Sequence, residues 1–207
     1  MAQLTPPPFG TNINEDSGFM SKGWIQWFQD IQDDAANGRN SVADSTISSN
    51  DTLDIVSGIS LNYDHYSLVL QDILISQPSD MLSLRVSTDT GSTFESGAED
   101  YTWLIETNTG STITTTDSAD NRIQLTPSSL NNASDSIING EIEFFTPAGT
   151  SNASHFRWDI QYKNTSGVLT RVEGSGIYNI SAAFNGVRLY LNTGAFTSGS
   201  YKLYGIR

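Results

Sequence analysis

The stretch His155-Phe156-Arg157-Trp158-Asp159-Ile160-Gln161-Tyr162-Lys163 decides the fold. Phe156, Trp158, Ile160 and Tyr162 are large and apolar, and every residue between and beside them is polar or charged. Successive side chains of a β-strand point to opposite faces. Such strict alternation therefore specifies a strand with one face buried and one face in water. On a helix the same four side chains would scatter around the axis and build no stripe.

The same period recurs on both sides. Leu82, Leu84 and Val86 alternate with Ser83, Arg85 and Ser87; Tyr66, Leu68 and Leu70 alternate with Ser67, Val69 and Gln71. Tyr101, Trp103 and Ile105 form a third set, and Ile142 and Phe144 alternate with Glu141 and Glu143. Ile123 and Leu125 read as a short strand stopped by Pro127, and Leu169 with Val172 suggests another. Val187, Leu189 and Leu191 form the penultimate strand, with Tyr201, Leu203 and Gly205 in the last. Ser-Gly at 166–167, Asn-Gly at 185–186 and Ser-Gly at 198–199 supply turns. No helical window separates these strands, so βαβ units are absent. About eight or nine closely spaced strands specify an antiparallel β-sandwich or barrel. Uneven connections favour a jelly roll; an immunoglobulin-like sandwich is the second choice.

Only one stretch has the other period. In Gly23-Trp24-Ile25-Gln26-Trp27-Phe28-Gln29-Asp30-Ile31, the residues Trp24, Phe28, Ile31 and, further on, Ala35 follow helical spacing. Residues 21–37 are expected to form a helix, with Ser21 as N-cap and Gly38 just beyond its end. So short a helix is marginal alone, and its aromatic load needs a partner. Before it, Pro6-Pro7-Pro8 favours an extended arm that also carries Phe9. After it, residues 38–52 are Ser-, Asn- and Asp-rich and read as a linker. The expected organisation is therefore an arm and attachment helix over 1–37, a linker over 38–52, and a β-sandwich over 53–207.

Composition narrows the function. The net charge of −13 opposes nucleic-acid binding and docking on anionic lipid. The absence of cysteine removes disulfides, thiolate nucleophiles and thiolate metal sites. Met-Ala-Gln-Leu-Thr-Pro-Pro-Pro has neither the basic nor the apolar region of a secretory signal, and no apolar run reaches membrane-spanning length. The expectation is a chain made in the cytoplasm that stays soluble, with no membrane insertion.

The chemistry-bearing residues are sparse. Asp89-Thr90-Gly91 has the form of an aspartic-protease signature, but Ser92 and Phe94 following a strand make it a turn. His65 and His155 open strands and show no metal-ligand spacing. Glu141 and Glu143 share a strand face, and a solvated face is the favoured reading. The sequence thus points to no catalytic, cofactor or metal residue and to a non-enzyme. Tyr190 and Tyr204, opposite the core series of their strands, are candidates for a ligand or subunit surface.

The succession Pro6-Pro7-Pro8, Asn14-Glu15-Asp16-Ser17-Gly18 and Trp24-Ile25-Gln26-Trp27-Phe28 resembles the opening of many bacteriophage virion proteins. Leu82 through Phe94 and the closing Asn192–Gly205 are similar to the β-sandwich module of tail-fibre-like and capsid-associated proteins. The resemblance implies a structural part of a virion, homotrimeric, without catalytic residues or cofactors. Pro6, Pro7, Pro8, Phe9, Trp24, Trp27, Phe28 and Ile31 would attach it to other virion proteins and join its copies. The sandwich would face outward, toward a host surface glycan. A capsid decoration or cement protein is one alternative; a carbohydrate-binding or carbohydrate-active module is another.

Overall fold

The structure is a computed structural model that describes residues 21–35, 38–60, 62–110, 112–145, 147, 149–150 and 152–206, with helix side chains described as far as Phe28. Pro6, Pro7, Pro8 and Phe9 lie outside the described residues, as does the Ile31 side chain.

The elements in order are α1 (Lys22–Ala35), β1 (Arg39–Asn50), β2 (Thr52–Ile55), β3 (His65–Ile75), β4 (Leu82–Ser87), β5 (Tyr101–Asn108), β6 (Ile113–Asp120), β7 (Ile123–Gln124), β8 (Ile138–Phe145), β9 (Ser154–Lys163), β10 (Leu169–Tyr178), β11 (Gly186–Leu191) and β12 (Phe196–Ile206). All strand pairs are antiparallel. An eight-stranded sheet runs β1-β12-β3-β8-β9-β10-β5-β6, and a four-stranded sheet runs β2-β11-β4-β7. The sheets pack as a sandwich. The pairing is nested: β1 meets β12, β2 meets β11, β3 meets β8, and β4 meets β7. Two hairpins, β5–β6 and β9–β10, interrupt that scheme in sequence and extend the large sheet beyond β8.

Alternation explains the core. Phe156, Trp158, Ile160 and Tyr162 of β9 are each at most 2% exposed, while His155, Arg157, Asp159 and Gln161 are exposed. They join Tyr66 and Leu68 of β3, Ile142 and Phe144 of β8, and Tyr101 and Ile105 of β5 in one contiguous cluster with Leu84, Val86, Val187 and Leu189 of the small sheet. Phe184, in the β10–β11 connection, packs on the large sheet, stacking on Phe156 at 5.8 Å and lying 5.8 Å from Phe144. Polar groups of buried rings are also placed. The Trp158 indole N–H donates to the Leu125 carbonyl (3.0 Å), and the Tyr101 hydroxyl accepts from the Val86 N–H (3.0 Å) and donates to the Glu95 carbonyl (3.1 Å). Each fully buried large apolar side chain contributes roughly 1.5–3 kcal/mol. This core, to which no described helix residue belongs, holds the domain together.

Two expectations are corrected and one unforeseen strand is added. Residues 38–52 are not a linker: they form β1 and the start of β2, so the sandwich begins at Arg39 and not at residue 53. Their composition hid this because β1 is an edge strand. It buries only Ile47 and is held by main-chain pairing to β12, with a bulge between Ser41 and Ala43. The strand β6 also escaped sequence reading, since none of its side chains is fully buried. Ser21 opens the helix through its carbonyl, which accepts from the N–H groups of Trp24 and Ile25 (both 3.0 Å), but its hydroxyl is buried without a partner and caps nothing. Gly38 does take the left-handed conformation (φ 63°) that suits a chain leaving a helix.

Candidate functional site

Register places the outward side chains of the large sheet in rows. One row joins Glu141 of β8, Asp159 of β9, Glu173 of β10 and Glu106 of β5, each directly opposite the next. Directly opposed like charges destabilise a sheet by roughly 0.2–1 kcal/mol per pair. The next row along contains Tyr204, Ser67, Glu143, Arg157, Ser175, Leu104 and Asp117. These rows floor a shallow trough of about 560 Å³ lined by Leu104, Glu106, Thr115, Glu141, Glu143, Arg157, Asp159 and Glu173. A second hollow of about 580 Å³ shares Glu141 and Asp159 and continues over Asn139, Gln161, Gln71 and Arg171.

Guanidinium groups offset most of the acid row. Arg39 pairs with Glu141 (2.5 Å), and both hydrogen-bond the buried Ser67 hydroxyl. Arg157 pairs with Glu143, its Nε–H donating at 2.8 Å. Arg171 spans Asp159 (Nε–H to Oδ1, 3.0 Å) and Glu173 (2.8 Å), and its already high pKa is raised, first by the hydrogen bond to Asp159. Glu106 has no ion pair among the described residues. Carboxylates on adjacent strands resemble the spacing of two-carboxylate hydrolysis. Here guanidiniums engage one oxygen each of Glu141, Glu143 and Glu173 and both oxygens of Asp159, so the trough presents mixed charge beside the amides of Asn139, Gln161 and Gln71.

The sequence candidates fall elsewhere. Tyr204 lies on this face, half-buried, with the Arg39 guanidinium 5.0 Å from its ring. Tyr190 lies on the outer face of the small sheet under Arg85 (5.1 Å), its hydroxyl buried without a partner. The two tyrosines are on opposite sides of the sandwich and do not form one surface. His65 and His155 come into one row on either side of Phe145, with His65 stacked on it at 5.4 Å. Two strand spacings, roughly 10 Å, separate them, too far to share a metal ion. Among the described residues no group of three or more His, Asp or Glu could hold one.

Asp89 organises a turn. Its carboxylate accepts from the Thr93 N–H (2.8 Å), the Thr93 hydroxyl (2.7 Å) and the Ser87 hydroxyl (2.8 Å), which hold its pKa below the usual carboxylate value. In α1, Trp24, Trp27 and Phe28 cluster, with Trp24–Trp27 at 5.3 Å and Trp27–Phe28 at 5.2 Å. Ile25 and Phe28 remain 42% and 44% exposed.

Sequence reading named Glu141 and Glu143 but missed Asp159, Glu173 and Glu106 as their companions. Each is an ordinary polar member of an alternating strand, and only register between strands distant in sequence aligns them. Comparison with protein-family models, curated proteins and solved structures finds no match to this chain.

Proposed function

We propose that the chain is a non-enzymatic structural subunit of a phage particle, a homotrimeric fibre or knob whose N-terminal part attaches and whose sandwich projects. The observation that carries this reading is the helix. The core closes without any described residue of α1, while Ile25 and Phe28 stand exposed beside the Trp24–Trp27 pair. Copies of one short aromatic helix can bury that face against one another, and only about two heptads are available, so sandwich contacts must add to it. We also read the sandwich as a jelly roll. The nested pairing of first with last, second with penultimate, third with sixth and fourth with fifth strand, leaving the two inserted hairpins aside, supports that reading. Jelly rolls serve capsids and lectins alike, so the fold by itself does not select the role.

The test is solution mass by sedimentation at several concentrations. It compares the full chain, a chain starting at Gly38, and Ile25→Ser/Phe28→Ser in the full chain. A cut near Asn50 would remove β1 and uncover the β12 edge, so the boundary matters. The proposal expects a trimer for the full chain and monomers for both variants. A full chain that stays monomeric, or a double variant that stays trimeric, overturns it.

A further inference from the structure

The two sheets have four edges, and three are blunted. β2 has four residues and β7 has two, too short to template another strand. β1 is long but carries a bulge between Ser41 and Ala43 and a positive φ at Ser49. The fourth, β6, is neither short nor bulged. It pairs with β5 through eight consecutive residues without a register shift, and Ile113-Thr-Thr-Thr-Asp-Ser-Ala-Asp120 contains neither Lys nor Pro.

β6 is also incomplete on its faces. Six of its eight side chains are exposed and two half-buried, so pairing with β5 alone holds it as a strand. On the outward side, Ile113 at one end of the ladder is 61% exposed, and Leu104, opposite Asp117 four residues along, is 44% exposed. On the inward side Trp103, opposite Ser118, is 4% exposed, and its buried indole N–H has no partner. Among the described residues no strand pairs with the outer side of β6, and an unpaired strand edge beside exposed apolar side chains is the template for strand addition.

We infer that the β6 edge receives an extended segment of another protein carrying Lys or Arg at alternate positions. Charge selects this occupant. Asp117 faces outward on β6 opposite Leu104, and Glu106, which lacks an ion pair among the described residues, opens the acid row one strand away. An incoming basic side chain beside Asp117 meets this row. A second copy brings a net charge of −13, and residues 1–20 of the chain contain Glu15 and Asp16 but no Lys or Arg. Neither supplies the complement. The inference stands whether or not the chain is trimeric.

The probe is a nine-residue peptide, Thr-Lys-Val-Lys-Thr-Lys-Val-Lys-Thr with blocked ends, added to the full chain. Its counterpart has Glu at every Lys. A third version keeps the side chains but N-methylates alternate residues. The readout is amide hydrogen exchange over residues 113–120. The Lys peptide is expected to slow exchange there by about tenfold or more, leaving β1 unchanged. The Glu and N-methylated peptides should have no effect. Asp117→Lys, an exposed change that leaves the core intact, should weaken Lys-peptide binding about fivefold. No protection at about 1 mM peptide, equal protection by the Glu peptide, or equal protection by the N-methylated one overturns the inference. Protection of residues 113–120 that rises with protein concentration alone also overturns it, because the occupant is then a second copy.

Discussion

The buried Asp80 carboxylate accepts five hydrogen bonds, and Asp80→Asn tests what they contribute to the fold. The residue lies between β3 and β4 and is 2% exposed. Its Oδ1 accepts from the N–H groups of Met81 and Asn192 (both 2.8 Å). Its Oδ2 accepts from the N–H groups of Thr193 (3.2 Å) and Gly194 (2.7 Å) and from the Thr193 hydroxyl (3.1 Å). One carboxylate thus ties the β3–β4 connection to the β11–β12 turn. Asparagine keeps the shape but replaces one acceptor oxygen with an NH₂ group. In either amide orientation two backbone N–H groups then face a donor. Each buried donor left unsatisfied costs about 1–3 kcal/mol, and hydrogen bonds to a charged acceptor are the stronger kind. Removing the buried charge recovers part of its desolvation, which five donors had already offset. The expected loss is about 4 kcal/mol, or a Tm lower by roughly 8–16 °C for a domain of this size. Urea unfolding followed by tryptophan fluorescence measures it, with an unchanged m-value as the check that the denatured state is the same. Asp54→Asn is the control. Asp54 pairs with Arg188 through two hydrogen bonds (2.7 and 2.6 Å) on a partly exposed face, and its loss should cost below about 1 kcal/mol. An Asp80→Asn cost no greater than the control refutes the reasoning.

Gly174→Ala should destabilise by about 1–3 kcal/mol and shift the tryptophan emission. A Cβ there would lie 2.2 Å from Trp158 and 2.8 Å from the Leu104 carbonyl, so the indole must move; an unshifted spectrum with native stability contradicts the packing. Burial pushes Tyr178 up to about 12 and Tyr101 higher still, against roughly 10 in the unfolded chain. Between pH 10 and 12 the folded state therefore binds more protons than the unfolded one, and stability falls as pH rises. Urea midpoints should drop from pH 9 to pH 11, and Tyr178→Phe should flatten that fall; an equal fall in the variant excludes Tyr178 as a source. Glu106→Gln should leave stability unchanged or raise it by up to about 1 kcal/mol, with the gain shrinking in high salt, because it removes a carboxylate opposed to Glu173. A loss of stability on that substitution means Glu106 has a structural partner.

What could be read in the sequence was whatever burial dictates locally. Phe156–Tyr162 and Leu82–Val86 announced themselves because each strand must fill an inner face, and period two follows from that need alone. The N-terminal helix was legible through the helical spacing of Trp24 and Phe28, although no described helix residue enters the core. β1 and β6 were not legible because edge strands can be held by main-chain hydrogen bonds, which leave no mark on residue type. Thr114, Thr115 and Thr116 have strand propensity, but a polar run without alternation reads equally as a loop. The candidate surface was least legible of all. Glu141, Asp159, Glu173 and Glu106 become neighbours only through β8–β9, β9–β10 and β10–β5 register, and nothing local to any of them encodes the other three.

The inserted hairpins join these points. Without β5–β6 and β9–β10 the large sheet would have four strands, matching the small one. With them it has eight, and the four-stranded layer covers the inner side of β9, β10 and β5 while leaving β6 beyond its reach. Trp158 meets Leu125 and Tyr101 meets Val86, so the insertions belong to the core and are not ornaments on it. Their inner faces were constrained to Tyr, Trp, Phe and Ile. Their outer faces were under no such demand, yet they carry carboxylates in direct opposition, an arrangement that packing does not require and electrostatics disfavours. The same hairpins end in the one edge that is neither short nor bulged. Three members of the acid row, Asp159, Glu173 and Glu106, and the open β6 edge thus lie on the added strands, with Glu141 beside them on β8, and the strand addition proposed above would act on this widened half of the large sheet.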